Sequence, residues 1–262
     1  MSSSRKADDL VMSRSDNLGK YRRNFLTQVV AEFRFPVMME LGEVRTPTGY
    51  VKTLRKEYPS HAMEEEVTMG VGKSLAANGH SHLLRSSDSH WTVALRPAAV
   101  SVNTDRYPGY AKLKERVMRV LDAAYPVIDT DFFTRVGLRY INSIKAGFDD
   151  SKNNPLDRWV NGSLVAPLLT HKFKGISSYS GRMQLGAVDG GCLLQHALKI
   201  RDDEEDSLRA EYVIDIDSSR SDVAFSDVSN VLDAMHTQIF DLFDWTLGPD
   251  SKEHLTSLKG LY

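Results

Sequence analysis

One thiol, Cys192, stands alone in 262 residues, so no internal disulfide can form. That fits a reducing compartment. Cys192 precedes Leu193 and Leu194 in a strand-like run, and it is expected as a small buried hydrophobe, not a nucleophile. Long apolar runs are missing: none approaches the ~18–20 residues that cross a bilayer. The first 24 residues are polar and lack the hydrophobic core of a secretory signal. A cytoplasmic protein with no membrane partner is therefore expected. Neither sign of charge is in excess, with 33 Lys and Arg against 35 Asp and Glu and a formal net charge of −2. This balance counts against a non-specific nucleic-acid binder, though not against a local basic strip. G-x-S-x-G, H-E-x-x-H, C-x-x-C and a complete G-x-G-x-x-G are all absent. The expectation is a protein that is not an enzyme and uses no cofactor or metal.

What is present is hydrophobic patterning. Phe25, Val29, Ala31, Phe33 and Phe35 share one face of a strand, and Gln28, Glu32 and Arg34 share the other. A short helix over Thr48–Tyr58 follows, then a strand near Glu65–Val71. His82–Arg85 and His90–Leu95 form a hairpin around the turn-rich Ser86–Ser89, and Val100–Asn103 continues it. Pro108 opens a helix with Leu113, Val117, Val120, Leu121 and Ala124 as its stripe, which Pro126 is expected to end.

The second half repeats this order. In the strand Phe132–Lys145, Phe132, Val136, Leu138, Tyr140 and Ile144 point one way; Arg135, Arg139 and Lys145 point the other. Pro155–Leu169 reads as a helix. Phe173–Val188 and Leu193–Ile200 read as strands joined at Asp189-Gly190-Gly191. Tyr212, Ile214 and Ile216 mark a last strand. A long helix over Ser226–Leu247 has Val228, Val231, Leu232, Met235, Ile239, Leu242 and Phe243 as its stripe, with Gly248-Pro249 as its end.

The expected fold class is α+β: two tandem β-α-β(n)-α units, each a curved antiparallel sheet packed by a long helix, in one compact body. By element order this resembles a helix-grip or TATA-binding-protein-like pseudo-repeat. The expected divisions are a mobile tail over 1–20, a first unit over 21–128 and a second over 129–262.

Phe33-Arg34-Phe35-Pro36 and Arg135-Val136-Gly137-Leu138-Arg139-Tyr140-Ile141-Asn142 carry a family resemblance. The chain resembles a sporadically distributed prokaryotic family of ~250-residue uncharacterised proteins with an "FRFP"-type strand and an "RVGLRYIN"-type central strand. The tryptophan strand His90–Leu95, Tyr107 before a long helix and the strand Tyr212–Asp217 fit it as well. The resemblance runs from about residue 22 onward. It implies a genome-defence or mobile-element setting and no catalytic residue.

Candidate chemistry is sparse. Gly70-Val71-Gly72-Lys73-Ser74 looks like a P-loop fragment, but Val67 stands where the first glycine belongs. It is expected as a loop. His80, His82 and His90 lack a fourth ligand or a thiol, and they are expected as exposed hairpin histidines. His196 and His236 are expected to be structural. Glu64–Glu66 and Asp202–Asp206 are expected as solvated charge.

Arg135, Arg139 and Lys145 form a basic row, and Asp215 and Asp217 an acidic one. One reading is cross-strand ion pairs that set register. The other is a recognition surface, since guanidinium forks suit carboxylate and phosphate. The candidate binding residues are Arg34, Arg96, Arg135, Arg139, Asp215 and Asp217. Three functions stay open. The first is a binding or accessory protein acting through a protein partner or self-association. The second is a nucleic-acid binder using the basic sheet face, assisted by Lys20, Arg22 and Arg23. The third is a small-ligand site between sheet and helix.

Overall fold

Alternation from Leu26 onward builds β1 (Leu26–Arg34), in which Val29, Ala31 and Phe33 are buried and Arg34 is exposed. The computed structural model describes residues 5–45, 47–68, 76–145, 155–170, 172–174, 176–201 and 209–257. The glycine-rich segment 70–74 and the acidic run 202–206 lie outside the described residues.

After β1 come α1 (Thr48–Leu54), β2 (Ser60–Thr68), β3 (Ala76–Arg85), β4 (Trp91–Arg96), β5 (Ala99–Thr104) and α2 (Tyr110–Ile128). Then come β6 (Phe132–Ile144), the single turns α3 (Leu156–Trp159) and α4 (Gly162–Val165), β7 (Ser178–Ala187), β8 (Gly190–Arg201) and β9 (Arg209–Ala224). The helices α5 (Val228–Thr246) and α6 (Pro249–Thr256) follow. Hydrogen-bonded neighbours in the nine-stranded sheet run β2-β3-β4-β5-β1-β6-β9-β8-β7. The class is α+β with a large antiparallel sheet. Arg139 pairs with Asp215, and Ser143, four residues on, pairs with Glu211, four residues back, so β6 and β9 also run antiparallel.

Two compact units divide the chain: residues 28–138 with 219–233, and residues 1–27 with 139–218 and 234–262. In the first, the α2 stripe of Leu113, Val117, Val120, Leu121 and Ala124 is buried, as are Tyr50, Leu54 and Tyr58. Each buried Leu or Val among them contributes about 1.5–3 kcal/mol of gross hydrophobic stabilisation. Pro126 lies inside α2, not after it. So near the end, its missing N–H forfeits only one helical bond. The helix runs on to the buried Ile128, and Asp129, at φ 42°, closes it by donating its N–H to the Tyr125 carbonyl.

β6 departs from strict alternation. Phe133 is fully buried and Phe132 is 42% exposed, the reverse of the expected facing. The buried phase slips by one between Phe133 and Val136, as an extra residue in a strand produces. Phe133 thereby meets the Phe33 and Phe225 rings, with centroids 5.4 and 5.7 Å away.

In the second unit, the expected helix over Pro155–Leu169 is broken into separate turns at Val160-Asn161. The Asn161 side chain accepts from the Ser163 N–H at 2.9 Å to cap α4. It also donates to the Trp245 carbonyl at 2.7 Å, while its N–H donates to Thr246. The loop thus satisfies carbonyls that the end of α5 leaves open. Gly248-Pro249 does end α5, but Pro249 also begins α6, where its lost N–H was unneeded.

The expected mobile tail is docked from Arg5 onward. Ala7 and Val11 are buried. The Ala7 N–H donates to the Asp189 side chain at 2.7 Å, and the Gln238 side chain donates to the Ala7 carbonyl at 2.5 Å. Arg14 reaches Asp241 at 2.8 Å, and the Ser15 N–H donates to the same carboxylate at 2.9 Å. Asn17 and Tyr21 donate to Asp244. Gln238, Asp241 and Asp244 form an i, i+3, i+6 row on α5 and are buried. Buried carboxylates need partners, and the polar segment 7–21 supplies them.

Candidate binding surface

The candidate residues fall into two clusters, one in each unit. In the first unit, Glu32 and Arg34 alternate onto the face of β1 opposite Phe33. Arg34 Nε lies 2.7 Å from the Glu32 carboxylate, and Arg135 Nη1 lies 3.4 Å from the same oxygen. Arg34 stands opposite Ala99, and so does Arg96, so these two arginines flank one small residue in a cross-strand row. Arg96 Nη1 donates to Ser101 Oγ at 3.1 Å, and Ser101 is the register partner of Glu32. Gly137 is explained by the same cluster: a Cβ there would run into the Arg135 guanidinium. Arg96 and Arg135 make further interactions besides these.

In the second unit, Arg139 forks onto Asp215, with Nε–Oδ1 at 2.8 Å and Nη2–Oδ2 at 2.5 Å. The hydrogen bonds to Asp215, with the further charge of Asp217, raise the arginine's pKa and hold it charged. Asp215 is thereby occupied by a bidentate partner, so this geometry does not make it a general acid or base. Asp217 has interactions of its own.

The remaining sequence candidates are engaged structurally. His196 accepts or donates at 2.7 Å with Tyr212 Oη, and burial lowers its pKa. His236 Nδ1 lies 3.1 Å from Tyr140 Oη, and Cys192 is buried. His90 Nδ1 is 2.7 Å from Asp105, which separates it in role from His80 and His82. His82 corrects an expectation: it is fully buried, not an exposed hairpin histidine.

Sequence reasoning missed Arg116. Its Cζ lies 4.4 Å from the Trp91 ring centroid, a cation–π contact. The Tyr50 hydroxyl is buried with no hydrogen-bond partner among the described residues, while Arg116 interacts with the buried Tyr58 hydroxyl and opposes the rise in its pKa that burial causes. The position of Arg116 three residues after Leu113 in the apolar stripe was the available signal. Among the described residues no helix is long and apolar enough to cross a membrane. No family model matches the sequence, and no curated protein is detectably similar to it.

Proposed function

We propose that the chain is a non-catalytic binding protein that engages an extended segment of a partner protein along β7. The observation that carries this reading is the state of that strand. β7 is last in the strand order and is paired with β8 along all ten of its residues. None of the ten is buried. Its sequence, SYSGRMQLGA, has one charged residue, Arg182, and no proline. Exposed edges are ordinarily guarded by charge, proline or a covering element, because their open N–H and C=O groups accept another strand. Strand addition is a recurrent mode of protein recognition.

The arginine surface supports this reading over nucleic-acid binding. Arg34, Arg135 and Arg139 each face a carboxylate, and Arg96 bonds a hydroxyl. Phosphate binding would have to displace those partners. We also read the chain as two tandem β-α-β(n)-α halves of helix-grip or TATA-binding-protein type. The strand order favours it, because the opening strand of each half neighbours that half's last strand, β1 beside β5 and β6 beside β9. The family resemblance suggests a role in prokaryotic genome defence or on a mobile element, and the single cysteine suits a cytoplasmic setting.

The test is capture of tagged protein from its native host, before and after nuclease and high salt, for the wild type and Met183→Lys. A stoichiometric protein that survives both treatments, and that Met183→Lys loses while melting as the wild type does, is the expected result. Nucleic acid released by salt, with no dependence on Met183, would turn the reading toward the arginine face.

A further inference from the structure

The core side of the sheet continues onto β7. The β7–β8 register sets Tyr179 opposite Leu198, Gly181 opposite His196, Met183 opposite Leu194 and Leu185 opposite Cys192. Those four β8 residues are buried, and directly opposed residues share a face. Tyr179, Gly181, Met183 and Leu185 therefore extend the core face by one strand. Their cover is uneven. At one end the Tyr179 hydroxyl donates to the Leu164 carbonyl of α4 at 2.9 Å. At the other the Val188 N–H donates to the Arg5 carbonyl at 3.3 Å, and Asp189 accepts from the Ala7 N–H. Between these two contacts Met183 is 36% exposed and Leu185 is half-buried.

The opposite face is polar and carries charge of one sign. Ser178, Ser180, Arg182, Gln184 and Gly186 alternate with the apolar set, and Lys199 stands opposite Ser178. Neither β7 nor β8 contains Asp or Glu. Arg182 and Lys199 are exposed, and neither forms an ion pair among the described residues. Arg182 Nη2 donates to the Gln184 side chain at 3.1 Å, a neutral partner.

We propose that the segment added to β7 is an acidic strand: apolar side chains at alternate positions cover Met183 and Leu185, and an Asp or Glu between them faces Arg182. This rests on the strand-addition reading and names the partner's chemistry. Successive side chains of a strand point to opposite faces, so one segment meets both demands. Its backbone supplies affinity and its side chains supply selection. A second copy of the chain is the poorer occupant. It would bring its own Arg182 and Lys199 to the same face, and like charges set opposite each other destabilise.

The test is selection of a random decapeptide library on the immobilised full chain, with recovered peptides measured by fluorescence anisotropy. Recovered sequences should alternate apolar and polar residues, with Asp or Glu among the polar ones. Replacing an acidic residue by Gln should weaken binding about two- to fivefold, the size of one cross-strand ion pair. Arg182→Glu should reverse the preference toward Lys at that position, and Met183→Lys should lose the peptides. Arg182 and Met183 are exposed, so these variants keep the fold. Alternating peptides with no acidic preference, or a preference that Arg182→Glu leaves unchanged, would overturn the acidic partner and leave strand addition standing. Peptides that bind Met183→Lys as well as the wild type, or a library that yields no binder, would overturn both.

Discussion

Arg139 and Asp215 meet through two parallel hydrogen bonds, yet Arg139 is about half exposed, so water screens the attraction. A double-mutant cycle with Arg139→Ala and Asp215→Ala should give a coupling of about 1 kcal/mol by urea unfolding. A coupling near zero would mean that the pair sets register without adding stability. Two glycines on β7 offer a sharper contrast. At Gly181 a Cβ would collide with the His196 ring, whereas at Gly186 nothing lies within 4 Å. Gly181→Ala should destabilise by about 1–3 kcal/mol, and Gly186→Ala should be neutral or stabilise by about 0.4–1 kcal/mol. His82 adds a pH dependence. Burial, then the neighbouring His61 and His80, lowers its pKa. The unfolded chain therefore takes up the proton first on acidification. The stability that neutral His82 contributes is fully present above about pH 6.5 and declines as pH falls below it. His82→Gln should flatten that part of the stability curve.

The segment 5–21 shows what an element can do without regular structure. It brings Arg14, a backbone N–H, Asn17 and Tyr21 to two carboxylates of α5. Deleting residues 1–20 leaves Asp241 and Asp244 short of partners and should lower unfolding free energy by about 3 kcal/mol. For Asp244, burial pushes the carboxyl up, but hydrogen bonds from Tyr21, Lys252 and Asn17 outweigh it and hold the pKa below the usual range. That contribution is present above the ordinary carboxylate pKa and is lost as pH falls through the lower folded value. The wild type should lose stability below about pH 4 more steeply than Asp244→Asn, as acid titration of the unfolding midpoint would show. This segment also marks where sequence reading stopped. The stripes of α2 and α5 and the alternation of β1 were legible because burial follows local period. The polar row Gln238, Asp241 and Asp244 was equally visible, but its partners in segment 7–21 lie more than 200 residues away in a stretch with no period. The inverted facing at Phe133 escaped for a related reason: it leaves composition unchanged. In the candidate surface, the residue types of Arg34, Arg135 and Arg139 were legible, but the pairing of Arg135 with Glu32 and of Arg139 with Asp215 depends on cross-strand register.

The sheet ends in β2 and β7, and the two edges are built differently. β2 carries the exposed Glu64 and Glu65, which discourage pairing with another copy. β7 has only Arg182. Without its partner, the isolated wild type should self-associate as concentration rises, and Met183→Lys should remain monomeric over the same range in sedimentation experiments. If both stay monomeric, the β7 edge is protected in some other way and strand addition loses its main support.

The bond between Ala7 and Gln238 spans 231 residues. On a ribosome adding about 5–20 residues per second, Ala7 waits on the order of 10–50 s for α5 to be made. For that interval Ala7 and Val11 have no place to bury. The unit that holds Ala7 and Gln238 cannot close until α5 has been made, whereas β1–β5 and α2 have already emerged. Birth order and folding order therefore run opposite for this segment: residues made before β1 settle after it.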